Sequence, residues 1–403
     1  MIPSPDLTAY LRRASLIFLV VGVICGAACG VGFLNDPQRF YPAYLTAFIY
    51  WLDVALGCLI VAMVHGMTGG IWGTTLRRVL EAGYETILVM AIAFVPLWLG
   101  VSRIYEWTDA DFVSQHPTVL RKVAYLNVDG FHLRAVIYFT TWALITAALN
   151  FFSPNDKPLA DTPRSRRLQG ASGLGFIVFA FTFTLAAVDW LMSLEPEWYS
   201  TMYGLIHMGG QAVSGMSFAL VMVVALRRFE PWSRTVTPSR LIDLGNLLMT
   251  TVIFWTYFTF FQFLVIWSGN LPEENFWYVK RSQDGWQYLA LLLVVFHFAV
   301  PFALLLSRRI KQQATSVGRI AALLLVMHYV DLYWQTMPGF QRGDESYQRT
   351  SFHWIDLAAL AAIGGLWLCV FFQRLLVRIK LPLFDSVEEE EADHERSSRA
   401  IAN

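Results

Sequence analysis

Ten separate runs of apolar residues, each about as long as a helix that crosses a lipid bilayer, dominate this chain of 403 residues. A hydrocarbon core about 30 Å thick takes roughly 20 residues of helix. Inside it the backbone must satisfy its own hydrogen bonds, which leaves only helices or a closed barrel. The runs lie at 14–34, 44–68, 85–103, 134–152, 173–194, 205–226, 243–268, 285–306, 318–337 and 354–376. The expected fold is all-α and integral to the membrane, with about ten transmembrane helices. Several runs hold Gly, Pro or polar residues at their centres, which suits helices packed in a bundle.

Composition agrees. Only 15% of the residues are charged, against about 25% in ordinary soluble domains. The net charge is zero, which argues against nucleic-acid binding. Fifteen Trp and 16 Tyr fit two aromatic belts at the membrane interfaces. The basic residues then set the direction of insertion. Arg12, Arg13, Arg77, Arg78, Lys157, Arg164, Arg166, Arg167, Arg227, Arg228, Arg234, Arg240, Arg308, Arg309, Lys311 and Arg319 lie in the N-terminus and the even-numbered connections. The positive-inside rule therefore expects both termini in the cytoplasm. Residues 381–403, with Glu388, Glu389, Glu390 and Glu391, read as a disordered acidic cytoplasmic tail. The outer connections 104–133, 269–284 and 338–353 are either docking surface for an extracytoplasmic partner or loops lying in the interface.

The four cysteines, Cys25, Cys29, Cys58 and Cys369, all fall inside apolar runs and read as packing residues. The chain has no CxxCH for attached haem c and no cysteine cluster for an iron–sulfur centre. Gly26-Ala27-Ala28-Cys29 lacks the aliphatic residue that a lipoprotein cleavage site carries, so the first span is expected to stay uncleaved. Its eight histidines show no pair at the spacing used for bis-histidine haem b. No metal site is expected in this chain.

Ionisable residues within spans are functional candidates, because a charge near the bilayer centre is costly. Asp53, Asp189, His207, His328 and Asp331 are expected in the outer third or at the outer rim. Asp129, His132, His353 and Asp356 fall at the outer ends of the fourth and tenth spans. His65, Glu81, Glu85 and Asp243 lie toward the cytoplasmic end, and His297 near the middle of the eighth span. Asp189 lies roughly 24 Å along its helix. It is either a carboxylate that accepts and releases a proton or a structural group, depending on whether a cation pairs with it. Asp129/His132, His328/Asp331 and His353/Asp356 are each three apart, on one helix face. An imidazole with a carboxylate behind it can take a hydroxyl proton. Glu81 and Glu85 are four apart and, with His65, either line an inner proton half-channel or sit at a helix start where acidic residues are favoured.

An internal repeat is visible. The fifth span ends Val188-Asp189 and the ninth ends Val330-Asp331, as if spans two to five and six to nine were two similar bundles, about 44–194 and 205–337. The spans 14–34 and 354–376 are then peripheral, and 1–380 forms one transmembrane domain.

Three segments carry a family resemblance. Asp189-Trp190-Leu191-Met192-Ser193-Leu194-Glu195-Pro196-Glu197-Trp198-Tyr199-Ser200 resembles a segment of the NrfD-like (polysulfide reductase C-like) membrane subunits of alternative complex III. Asp243-Leu244-Gly245-Asn246, with Gln262-Phe263-Leu264-Val265-Ile266-Trp267-Ser268-Gly269-Asn270-Leu271-Pro272-Glu273-Glu274, is similar to the ActF subunits of that complex. Val330-Asp331-Leu332-Tyr333-Trp334 with Met337-Pro338 looks like the end of their ninth helix. The resemblance implies ten helices with two four-helix bundles in the bacterial cytoplasmic (inner) membrane. It also implies a part in quinol oxidation, usually of menaquinol. The implied partners are a larger NrfD-like membrane subunit, an iron–sulfur protein and multihaem cytochrome c subunits, which hold the iron–sulfur clusters and haem c. Asp189, His328, Asp331 and His207 become candidates on the quinone side. Asp53, His65, Glu81, Glu85 and His297 become candidates for a proton path. The alternative is a secondary transporter or proton-conducting protein that uses the same buried residues without electron transfer.

Overall fold

Proline and capping residues decide where several of the helices begin. In the computed structural model, which describes residues 5–70, 72–153, 163–230, 232–341 and 352–380, Asp36 accepts a hydrogen bond from the Arg39 N–H at 3.0 Å and Pro37 takes the first helical position. Proline suits that place because its missing N–H would have had no helical partner. Thr237 and Pro238 open a second long helix in the same manner. Asn127 caps a third, accepting from the Gly130 N–H at 2.7 Å.

Among the described residues, ten helices are long and apolar enough to cross a membrane, in the number and order expected. They are α1 (Pro5–Asn35), α2 (Pro37–Thr68), α3 (Trp72–Leu99), α4 (Val128–Phe152), α5 (Ser165–Leu194), α6 (Tyr203–Leu226), α7 (Pro238–Gly269), α8 (Trp286–Leu306), α9 (Ala314–Phe340) and α10 (Trp354–Arg378). No strand occurs among the described residues. The acidic tail and residues 342–351 of the last outer connection lie outside the described residues.

Most helices run past their apolar stretch, because helical hydrogen bonding continues wherever caps or packed partners support it. The largest departure from expectation is α3, expected over 85–103. It starts at Trp72, and its first part is amphipathic, burying Arg78 and Glu81 at 3% exposure each. A charged stretch expected in a solvated connection is thus built into the bundle. Two of the helices are interrupted next to a proline. α3 breaks at Phe94, just before Pro96. α8 widens into a π-helical turn over Leu293–Ala299, just before Pro301. Such π turns are rare and are found mostly at functional sites.

Contacts between helices close two rings. α2, α3, α4 and α5 touch in succession and α5 returns to α2; α6, α7, α8 and α9 do the same. α1 and α10 pair with each other and dock against α2. The two rings meet chiefly where α2 crosses α6. A Cβ on Gly57 would stand 2.0 Å from the Gln211 carbonyl oxygen, and one on Gly215 would stand 2.1 Å from the Gly57 carbonyl carbon. Only glycine allows backbones this close, and in lipid such packing replaces the hydrophobic effect as the force holding helices together.

The connections after α3, α5 and α7 join on one face, called distal here. Lys122 Nζ donates to the Pro196 carbonyl at 2.6 Å, and the Trp198 indole donates to the Glu274 carbonyl at 3.0 Å. The even connections gather on the opposite face, where Trp232 Nε1 donates to the Thr75 carbonyl and Gln169 to the Met67 carbonyl.

The crossing generates a test. Gly57→Val should lower the thermal midpoint of the detergent-solubilised protein and cost about 3 kcal/mol or more through overpacking. Gly26→Ala, with nothing within 4 Å of its new Cβ, should leave the midpoint unchanged. Size-exclusion profiles recorded against temperature measure both.

Candidate functional site

A buried polar cluster forms where α2, α6, α7, α8 and α9 converge. Asp53 and Gln211 are fully buried, and Asp331, His207, His297 and His328 are at most 2% exposed. The Gln211 amide donates to Asp53 Oδ1 at 2.8 Å, and His328 Nε2 bonds Asp53 Oδ2 at 3.1 Å. The Trp255 indole donates to Asp331 Oδ2 at 3.1 Å. His297 lies against the Trp255 ring at 3.9 Å between centroids and 6.5 Å from the His328 ring. Glycines in α6 make the room: a Cβ on Gly210 would come within 2.9 Å of His328 Cε1, and one on Gly209 within 3.0 Å of Trp255 Cα.

Several polar atoms in this cluster lack partners. His207 Nε2, both ring nitrogens of His297 and His328 Nδ1 are buried with no hydrogen-bond partner among the described residues. Buried polar groups are normally satisfied, so each such atom calls for an explanation such as a proton-transfer role or a water.

The His–Asp spacings resolve differently from expectation. His328 and Asp331 share a face of α9, but His328 bonds Asp53 on α2 and Asp331 bonds Trp255 on α7. His132 Nε2 meets the Trp98 carbonyl at 3.1 Å, while Asp129 is exposed. His353 and Asp356 form the capping box of α10, and Asp356 also pairs with Arg39. Equal spacing along a helix fixes a face; the neighbouring helix decides the partner. Asp53 lies sixteen residues after Pro37 in α2, roughly 24 Å along that helix from its distal end.

One large crevice, of about 850 Å³, opens between α7, α8, α9 and the short helix Pro272–Lys280. Its walls are apolar, with Phe260, Phe263, Ile266, Leu293, Val294 and Phe298 among them. Asp331, Trp255 and Trp334 line its inner part, and Asn270, Asn275, Arg281, Ser282 and Gln287 supply polar groups. Arg281 is 1% exposed and already neutralised: it donates to Glu195 Oε2 at 2.8 Å and to the carbonyls of Trp277 and Gln335. Its guanidinium also stacks on the Trp277 ring at 3.6 Å.

The segments singled out in the sequence build this side of the molecule. Glu195 holds Arg281, and Trp198 stacks on Trp277 at 4.9 Å. Asn270 closes α7 in the left-handed conformation at φ 46°, and its side chain receives the Asn275 amide at 3.0 Å. Asn is one of the few residues that adopt this conformation readily.

Asp189 has the cation that its reading hinged on. Arg134 clamps it with two bonds of 2.8 and 2.9 Å, and the Tyr138 hydroxyl donates to it at 2.7 Å. The same guanidinium stacks on Tyr125 at 3.9 Å. Asp189 does not line the large crevice.

On the opposite face, Glu81 is held by Arg77 at 3.0 Å and Arg78 at 2.7 Å, with Arg378 at 3.8 Å. Glu85 pairs with Arg378 and accepts from Asn150 at 3.0 Å. Glu81 therefore sits in the last turn of the segment Trp72–Tyr84, not at a helix start, and arginines rather than a helix dipole stabilise it. His65 bonds the Gly70 carbonyl at 3.1 Å. His65 and Glu81 share a cavity of about 40 Å³, the scale of one water molecule.

Among the described residues, no three His, Cys, Asp or Glu side chains converge as a metal site. No protein-family model matches the chain, and a search of curated proteins finds no match. Gln211 and Arg134 were not singled out by sequence, and Trp255 and Trp334 were not chosen as site residues. Only their cross-helix neighbours set these four apart.

The Arg134 clamp predicts a structural phenotype. Asp189→Asn should destabilise the protein by about 3 kcal/mol, the usual result of leaving one buried charge unpaired. Thermal unfolding measures it. Any quinol-dependent activity, taken per folded molecule, should stay near wild type.

Proposed function

We propose that this chain is a membrane subunit of a quinol:electron-acceptor oxidoreductase, of the alternative complex III kind, in which the α7–α9 crevice receives the quinol ring. One observation carries the reading. Asp331 is a buried carboxylate, 2% exposed, hydrogen-bonded by the neutral indole of Trp255, and it lines an apolar crevice. A lipid-borne reductant needs an apolar approach and a base at its end. Asp331 supplies the base. Asp189, its counterpart in the repeat, has its acceptor oxygens occupied by Arg134 and Tyr138.

In this scheme one quinol hydroxyl gives its proton to the Asp331 carboxylate. The second proton leaves to water at the polar mouth beside Gln287 and Ser282. The ring loses two electrons and becomes the quinone. Those electrons pass to an iron–sulfur cluster or haem c held by partner subunits, because a ring that is oxidised needs a one-electron acceptor nearby. A larger NrfD-like subunit, an iron–sulfur protein and a multihaem cytochrome c are the partners that the resemblance supplies. The Asp53–His328 pair with His297 lies one indole ring away from Asp331 and is the group best placed to relay protons. The positive-inside rule supports an extracytoplasmic crevice mouth in this scheme.

A second reading keeps the same residues for a transporter or proton conductor without electron transfer. The π turn in α8 that carries the buried His297 favours it, since interrupted helices near the midplane mark transport sites.

Two measurements separate the readings. The first reading expects the chain to co-purify from its native membrane with haem c and iron–sulfur polypeptides, whereas a transporter would emerge alone or as a homo-oligomer. Asp331→Asn should then lower quinol oxidation by the assembled complex about a hundredfold, at an unchanged haem content. An undiminished rate would remove Asp331 from the chemistry.

A further inference from the structure

We infer that the start of α7, on the face opposite the distal one, binds the phosphate of an anionic phospholipid through the Lys311 ammonium. The inference is independent of the crevice and of both readings of its function.

Lys311 ends the short helix Arg308–Lys311 in the connection from α8 to α9, and that helix packs against α7. The residue is 7% exposed because its stem crosses Gly245 of α7, where a Cβ would stand 2.8 Å from Lys311 Cγ and 2.9 Å from Cδ. The stem carries the ammonium over α7 to Asn246, whose Oδ1 accepts a hydrogen bond from it. Asn246 is exposed, on a stripe of α7 that also exposes Asp243, Thr250, Ile253 and Phe254. Long basic side chains commonly bury the stem and bring the charge to the edge of the membrane in this way. An ammonium has three donors. Among the described residues, Lys311 has the neutral Asn246 as its one side-chain partner and forms no ion pair. Arg78 and Arg378, on the same face, are paired with Glu81 and Glu85. A charge held at low exposure without a counter-ion gains from an anion that can bond to it.

The surroundings favour a negative ligand. Between Asp284 and Asp331 the chain has no acidic residue, whereas Arg308, Arg309 and Arg319 are exposed around the start of α9. That helix begins three residues after Lys311 with no side-chain cap from Gln313, so the positive end of its dipole adds to the field. Asp243 is the one carboxylate in α7, and the basic residues outnumber it. Depth points to a lipid rather than a free anion. α7 has 32 residues, roughly 48 Å of helix against a hydrocarbon core of about 30 Å. Asn246 lies eight residues after Pro238, roughly 12 Å along, near the level where headgroups meet acyl chains. Ile253 and Phe254, 42% and 54% exposed, continue the stripe as an apolar wall for those chains. A zwitterionic headgroup would bring its own cation to the arginines, so the anionic class is selected.

The test uses the full chain, delipidated in detergent, with radiolabelled dioleoylphosphatidylglycerol as the probe. Equilibrium gel filtration gives its affinity, and dioleoylphosphatidylcholine and inorganic phosphate serve as competitors. Neither competitor should displace the probe from the wild type. Lys311→Gln should weaken it about tenfold, the loss of one charge-assisted hydrogen bond. Lys311→Met keeps an apolar stem over Gly245 and should reproduce that loss if the Gln variant folds poorly. Lys311→Arg should retain most of the affinity. Arg13→Gln, which removes an exposed cation of the same face from α1, should bind as the wild type does. Unchanged binding by the Gln and Met variants would overturn the inference. So would an equal loss in Arg13→Gln, which would leave only a general attraction to positive charge. Displacement by inorganic phosphate would replace the lipid with a free anion, and displacement by phosphatidylcholine would remove the headgroup selectivity; either result overturns the inference.

Discussion

The close crossing of α2 and α6 is the constraint from which the interior follows. Gly57 and Gly215 let the two backbones touch, and that contact brings the two rings of helices together. Asp53 lies one turn before Gly57, and Gln211 lies one turn before Gly215. The crossing therefore sets those two side chains face to face, at 2.8 Å. α9 packs against both helices and adds His328. A bulkier residue at either glycine would part the helices and strip Asp53 of its partners, so the polar cluster depends directly on two missing side chains.

Around that axis the two rings end differently. Each has a Val-Asp pair near the distal end of its last helix. In the first ring Arg134 and Tyr138 surround Asp189, so its charge is answered within the protein. In the second ring Asp331 is bonded by the Trp255 indole, with no guanidinium on it among the described residues, and lines a crevice. The same residue type thus meets a cation in one ring and a neutral donor in the other. The difference comes from the neighbouring helices, since an Arg neutralises a buried acid and a Trp only bonds to it.

Ionic groups near the two faces hold the ends of the bundle. Arg378 of α10 reaches Glu81 and Glu85 of α3, tying the peripheral helix pair to the first ring. On the distal face Glu195 joins Arg281 and Lys280, which locks the connection after α5 onto the connection after α7. These contacts shape one edge of the crevice. They also explain why the Glu195–Trp198 stretch is built from charged and aromatic residues where a plain loop would serve for connection alone.

Much of the architecture was legible in the sequence. Twenty-residue apolar runs admit only helices in lipid, so the number and order of the spans followed from hydropathy. Spacing also placed His328 and Asp331 on one face. Partners were not legible, because a pairing across helices depends on rotation and depth that a linear pattern does not carry. Hydropathy likewise missed the start of α3, since Arg78 and Glu81 cancel each other's charge only once they are packed. Tertiary structure alone decided that Asp189 is clamped by Arg134, that Asp53 meets Gln211 and His328, and that Asp331 opens on a crevice. The physical reason is common to all three: a buried charge is defined by what surrounds it, and those neighbours come from helices tens to hundreds of residues away in the chain.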